Sequence, residues 1–87
     1  MYEIRFVDDA DEDLQKLDKS IAQKIIRNIQ WLAENAETIK QIGLRGDLSG
    51  FSKLRQGDFR IIYELLAHEK FVIIHFIGHR SEVYKKR

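Results

Sequence analysis

Two strand-like runs, Phe51–Arg55 and Asp58–Leu66, flank the dipeptide Gln56-Gly57. That arrangement constrains the fold more than any other feature of the chain. Glycine supplies the positive φ that a two-residue hairpin loop needs, so the second run must return beside the first. Alternate residues of a strand share a face. Lys53 and Arg55 therefore point one way and Leu54 the other. On the return strand Phe59, Ile61, Tyr63 and Leu65 form an apolar row, while Arg60, Ile62 and Glu64 form a mixed one. The hairpin feeds a core with one face and gathers Lys53, Arg55 and Arg60 on the other. Cations held on a rigid sheet suit a phosphate-rich ligand better than they suit folding.

The rest of the chain supplies the elements around this hairpin. Tyr2, Ile4 and Phe6 alternate with Glu3 and Arg5, which predicts a half-buried first strand. Asp8 or Asp9 suits the N-cap of a short helix. The acidic run through Asp13 fits its first turn and a solvated face, where the helix dipole favours carboxylates. Asp18 or Ser20 caps a longer helix with an apolar stripe of Ile21, Ile25, Ile29, Leu32 and Ala36, widened by Ile26 and Ala33. The short step from Leu17 to Ile21 folds the two helices into a hairpin. Trp31 lies off the centre of the stripe, where a core-edge anchor is expected rather than a nucleobase platform. Gly43, Gly46 and Gly50 mark a connecting loop. A turn at Ala67-His68-Glu69 leads into a last strand, Lys70–His79, whose apolar residues on both faces predict a central position.

The architecture expected is α/β of the α+β kind. It has an N-terminal strand, a helix hairpin and a three-stranded antiparallel meander, with both helices on one face of the sheet. Residues 1–87 contain no internal repeat or linker and read as a single domain. The cations of the hairpin then fall on the face away from the helices.

Composition narrows the chemistry. There is no cysteine, which excludes disulfides and thiolate sites and fits a reducing cytoplasm. No signal-peptide pattern or membrane-length apolar run appears. Net charge is only +1, but it is unevenly spread. Residues 1–44 hold six Lys/Arg against nine Asp/Glu, a net −3; residues 45–87 hold nine against five, a net +4. The second half has the balance of a polyanion binder. Arg45 and the tail Lys85, Lys86 and Arg87 add to its candidate phosphate contacts.

The candidates near the patch are Lys53, Arg55, Arg60, His79, Arg80 and Tyr84. His75 and His79 would share a strand face about 13 Å apart, too far to chelate one metal. No nucleophile elbow, phosphate loop or dinucleotide fingerprint is present, and neither metal nor cofactor is expected. A cationic face can stabilise a pentavalent phosphorane. Cleavage of RNA by its own 2′-hydroxyl needs that stabilisation with a general base and acid, and no metal. Arg55 and Arg60 beside Lys53 would disfavour its ammonium and make it a candidate base. Arg60, taken as solvent-facing, should matter to chemistry and little to folding.

Three segments carry a family resemblance. They are Leu44-Arg45-Gly46, the hairpin from Lys53 through Gly57-Asp58-Phe59-Arg60 to Glu64, and the ending Ile77-Gly78-His79-Arg80-Ser81-Glu82-Val83-Tyr84. Together they resemble the RelE/ParE toxin superfamily, and the RelE branch most, over nearly the whole chain. The resemblance implies a cytoplasmic toxin that cuts mRNA in the ribosomal A site and leaves a 2′,3′-cyclic phosphate. It implies a cognate RelB-like antitoxin as partner, with oligomers formed through that complex, and no cofactor or membrane. Lys53, Arg55 and Arg60 match the family's cationic cluster. Tyr84 matches its RNA-positioning tyrosine, Arg80 the arginine on the leaving group, and His79 a position where a general acid or base can stand. Phe51 stands where some relatives carry a second lysine. The alternatives are a ParE-like inhibitor of DNA gyrase that is no nuclease, and a degenerate member that only binds its antitoxin.

Overall fold

A computed structural model describes residues 1–39, 41–43 and 50–85. In chain order the elements are β1 (Glu3–Phe6), α1 (Asp8–Gln15), α2 (Lys19–Asn35), β2 (Ile42–Gly43), β3 (Ser52–Gln56), β4 (Phe59–Leu66), β5 (Phe71–His79) and a closing 3-10 turn (Val83–Lys85). The strands form one sheet in the order β1-β5-β4-β3-β2. The meander β3-β4-β5 is antiparallel as expected, and the apolar β5 is central. The residue pattern alone does not place β1. It runs parallel to β5 at the edge, with Ile4 beside Val72. Within the stretch read as a connecting loop, Ile42 and Gly43 add a two-residue strand against Lys53 and Ser52.

Both helices cover one face of this sheet. Ile25, Ile29, Leu32 and Ala33 of α2, Ala36 at its C-cap and Ala10 of α1 are buried with Ile61, Tyr63, Val72, Ile74 and Ile77. Leu54, Phe59 and Leu65 pack against that cluster, so the apolar row of β4 faces the helices. Ile26, expected to widen the α2 stripe, is exposed. It lies beside exposed Phe6 in a groove with Leu14.

Two local features differ from expectation at the start of α1. Its N-cap is Val7, with no side-chain cap, because β1 carries extended backbone straight into the helix. Asp8, Asp9 and Asp11 fill the first turn instead, where the dipole favours them. Asp13 does not belong to a solvated face: it is 5% exposed, and its Oδ2 accepts the N–H of Ile77 at 3.0 Å. The pairing of β1 with β5 ends at Ile74. Beyond that point β1 no longer reaches the β5 edge, and α1 supplies the partner for the Ile77 N–H with a carboxylate.

The connection after α2 is tied down by Gln41. Its Nε2 donates to the carbonyls of Ala36 and Ile39, and its Oε1 accepts the Tyr63 hydroxyl. Burial pushes the Tyr63 phenol above its usual titration range, with a smaller opposing pull from Ser52. No helix among the described residues is long and apolar enough to cross a membrane.

Candidate RNA-facing site

The hairpin loop is Gly57-Asp58, one residue later than Gln56-Gly57. Gly57 has φ +59°, and glycine at the first loop position is what a type II′ hairpin requires. Moving the loop by one residue moves the register by two, so every side chain keeps its predicted face. Arg55 now lies directly opposite Arg60, and Lys53 opposite Ile62. The three cations share the face away from the helices.

They do not share an environment. Arg55 is exposed and Lys53 half-buried, whereas Arg60 is only 6% exposed. The Nη1 of Arg60 donates to the carbonyls of Gly57 at 3.0 Å and Phe59 at 2.9 Å. The expectation of a solvent-facing Arg60 is therefore corrected: its guanidinium folds back to pin the loop. Like charges directly opposed across a strand pair repel, and two carbonyl acceptors answer the charge that Arg55 does not.

The end of β5 closes over the same rung. Gly78 pairs with Arg60, and a Cβ on Gly78 would meet that of Val83 at 3.4 Å. Val83 is fully buried there and holds the 3-10 turn that carries Tyr84, 37% exposed, and exposed Lys85. The backbone N–H of Arg80 donates to the Asp58 carbonyl at 2.8 Å, which brings Arg80 to the hairpin loop. Its exposed side chain stands 4.0 Å from the Asp58 carboxylate, too loose to hold it. Lys53, Arg55, Arg60, Arg80 and Tyr84 thus cluster at one end of the sheet. Arg45, Lys86 and Arg87 lie outside the described residues.

His79 is the exception. A bulge in β5 separates the rungs Ile62–Phe76 and Tyr63–Ile74, so His75 and His79 do not share a face. His79 lies opposite Phe59, with the two rings edge to face at 5.8 Å, on the side that Phe59 and Ile77 turn to the helices. Its Nδ1 meets the Ser81 hydroxyl at 2.8 Å. The extra residue of the bulge, His75, joins the cationic face instead. Its Nε2 stands 3.2 Å from Glu64 Oε1, and its ring stacks on Phe51 at 4.5 Å. No local signal in the sequence marks the bulge, so the residue pattern does not foretell this histidine–carboxylate pair. Phe51 is the ring that covers it.

Chemically, the face offers two accessible cations, one buried and oriented cation, a flanking arginine and an exposed tyrosine. That set can bind a phosphodiester and stabilise extra negative charge on its phosphoryl oxygens.

Residues 4–84 match a family model described as the ParE toxin of a type II toxin–antitoxin system. The chain is 31% identical to a RelE-like toxin protein of Escherichia coli over 86 residues, which is 95% of this chain and 90% of that one. It is 26% identical to toxin RelG of Mycobacterium tuberculosis, covering 98% of each. Among solved structures, the RelBE2 toxin–antitoxin complex of Mycobacterium tuberculosis contains a chain that superposes with a TM-score of 0.80 at 28% identity. The superposition covers 91% of this chain and 98% of that one.

Proposed function

Because the chain belongs to the RelE/ParE superfamily of type II toxin–antitoxin toxins, we propose that it is a ribosome-dependent endoribonuclease that cuts mRNA in the A site. The observation that carries this reading is the placement of Lys53, Arg55 and Arg60 on the sheet face away from the helices, with Arg55 and Arg60 on a single rung. Lys53 takes the proton of a ribose 2′-hydroxyl. The 2′-oxygen attacks the adjacent phosphorus, the bond to the 5′-oxygen breaks, and a 2′,3′-cyclic phosphate remains. The exposed guanidinium of Arg55 can fork onto a pair of phosphoryl oxygens and hold the charge that builds there, and buried Arg60 adds positive charge from the same rung. Arg80 steadies the departing 5′-oxygen, which takes its proton from water, and Tyr84 stacks on a base. Lys85, with Arg45, Lys86 and Arg87, adds phosphate contacts. His79 falls outside this set because the bulge turns it to the other face.

A cognate antitoxin of the RelB type would block this face in the cytoplasm and assemble the toxin into a larger complex. RelB partners the toxin in the related solved complex.

The deciding experiment is toeprinting of a translated mRNA with the wild-type chain and with Arg55→Ala. The expected result is cleavage within the A-site codon, reduced roughly a hundredfold in the variant, the size of one lost transition-state donor. A second reading has a specific basis, since the matching family model is that of ParE. A ParE-like gyrase inhibitor would leave mRNA intact and produce DNA damage signalling in cells, and that outcome would replace the nuclease reading.

A further inference from the structure

The outer face of α2 carries a second set of residues that the sheet chemistry does not use. Lys24, Arg27, Asn28 and Trp31 recur at helical spacing on one side of the helix. With Gln56 from β3 they line a shallow depression of about 340 Å³. Trp31 is 46% exposed, so it is not the core-edge anchor that its position in the sequence suggested. Among the described residues no carboxylate stands within ion-pair distance of Lys24 or Arg27. Asn28 ties the depression to the hairpin: its Nδ2 donates to the Arg55 carbonyl and to Gln56 Oε1, both at 3.0 Å. A neighbouring depression shares Lys24 and Gln56 and continues to the Gly57-Asp58 loop.

We propose that this face of α2 is a second RNA-docking surface, on which Trp31 stacks against an unpaired base while Lys24 and Arg27 hold the flanking phosphates. The chemistry selects a single-stranded polyanion with planar rings. Exposed indole and unpaired cations side by side are what sequence-tolerant binding of single strands uses. An acidic peptide would satisfy the cations and leave the flat indole without a planar partner. Continuity with the hairpin lets one strand pass from the cationic sheet face, round the loop, onto α2. The surface rests on the nuclease reading only for the identity of the polymer. It provides affinity and takes no part in bond breaking.

Trp31 is the one tryptophan in the chain, so its emission reports the surface directly. A short uridine oligonucleotide with 2′-O-methyl sugars, which cannot be cleaved through that hydroxyl, is titrated into the purified full chain. The expected result is quenching of Trp31 emission that weakens as salt rises. Trp31→Ala should weaken binding of the same oligonucleotide, followed by anisotropy, about 5- to 150-fold, the factor carried by one stacked base. Trp31→Phe should recover much of it, and Lys24→Gln with Arg27→Gln should flatten the salt dependence. Melting curves establish that each variant is folded. Unchanged emission, or equal affinity in folded Trp31→Ala, overturns the proposal. So does quenching by an acidic peptide and not by the oligonucleotide, which would make the surface a protein-docking site. The nuclease reading fails separately: if Arg55→Ala cleaves mRNA normally while quenching persists, α2 binds RNA but the sheet face does not cut it.

Discussion

The two faces of the sheet are made by the same three strands and are opposite in character. On the helix-covered face, Ile61, Tyr63, Val72, Ile74 and Ile77 are buried against α1 and α2. One residue along in each direction, the strands present Lys53, Arg55, Glu64 and His75 to the other side, partly or fully in solvent. Alternation lets one hairpin feed a core with one row of side chains and gather cations with the other. The division is not complete, because Arg60 lies on the cationic face yet is buried and bonded like a core residue. Charge on a sheet face is therefore a poor guide to whether a residue is dispensable for folding. What decides is where its donors end.

The sharpest way to test the division is to damage the covered face alone. Ile61 has no exposed surface. Ile61→Ala should cost about 2–5 kcal/mol of stability, the range for a buried aliphatic truncated to a methyl. Cleavage per folded molecule should stay at the wild-type rate. Denaturant titration with single-turnover cleavage on programmed ribosomes reads both, and a catalytic loss matching the stability loss would mean that the faces are not independent.

Arg60→Ala tests the residue that straddles the division. On the proposed nuclease reading it should lower cleavage by roughly a hundredfold or more. It should also destabilise the fold by about 1–3 kcal/mol, because two loop carbonyls lose their donor. An exposed arginine would cost less than about 1 kcal/mol. If the variant melts like the wild type, the contacts to Gly57 and Phe59 contribute nothing to stability.

A smaller effect separates the faces by pH. Tyr63 lies on the covered face, and burial holds its phenol neutral above the usual range. The unfolded chain ionises first, so it binds fewer protons and stability falls as pH rises past the ordinary phenol value of 10.0. The loss runs from that unfolded value up to the higher folded one. Tyr63→Phe should cost about 0.5–1.5 kcal/mol near neutral pH, for one hydrogen bond, and should be less sensitive to alkali. Melting temperatures on both sides of that pH supply the check. Equal alkaline sensitivity in the two proteins would assign the effect to other groups.

Much of this arrangement was legible in the sequence because period-two alternation is strict. The apolar row Phe59-Ile61-Tyr63-Leu65 and the cation set Lys53-Arg55-Arg60 follow from it, and they survive the displaced loop because the register moved by two. Features that depend on tertiary partners were not legible. Asp13 looks like its acidic neighbours until β5 presents an N–H that β1 does not reach. Trp31 looks like a core-edge residue until the sheet is seen to leave it uncovered. The bulge at His75 has no composition signal, yet it decides which histidine meets the cations. The site roles rest on resemblance and placement together, since alternation assigns a face and not a proton.

His79 provides the smallest expected effect and the finest test of the comparison. Alternation without the bulge would put it beside Arg60's rung on the cationic face, where it could exchange a proton with the substrate. With the bulge it lies edge-on to Phe59, with Nδ1 engaged by Ser81. His79→Ala should then cost under about 1 kcal/mol, the size of an aromatic contact at the end of a strand. It should also leave single-turnover cleavage at the wild-type rate, while Lys53→Ala abolishes most of it. The reverse pattern, with rate lost in His79→Ala and kept in Lys53→Ala, would mean that the strand end rearranges on the ribosome and brings His79 to the phosphodiester. If both variants cleave normally, the proton acceptor is elsewhere on the face, and the pair His75–Glu64, at 3.2 Å, becomes the group to remove.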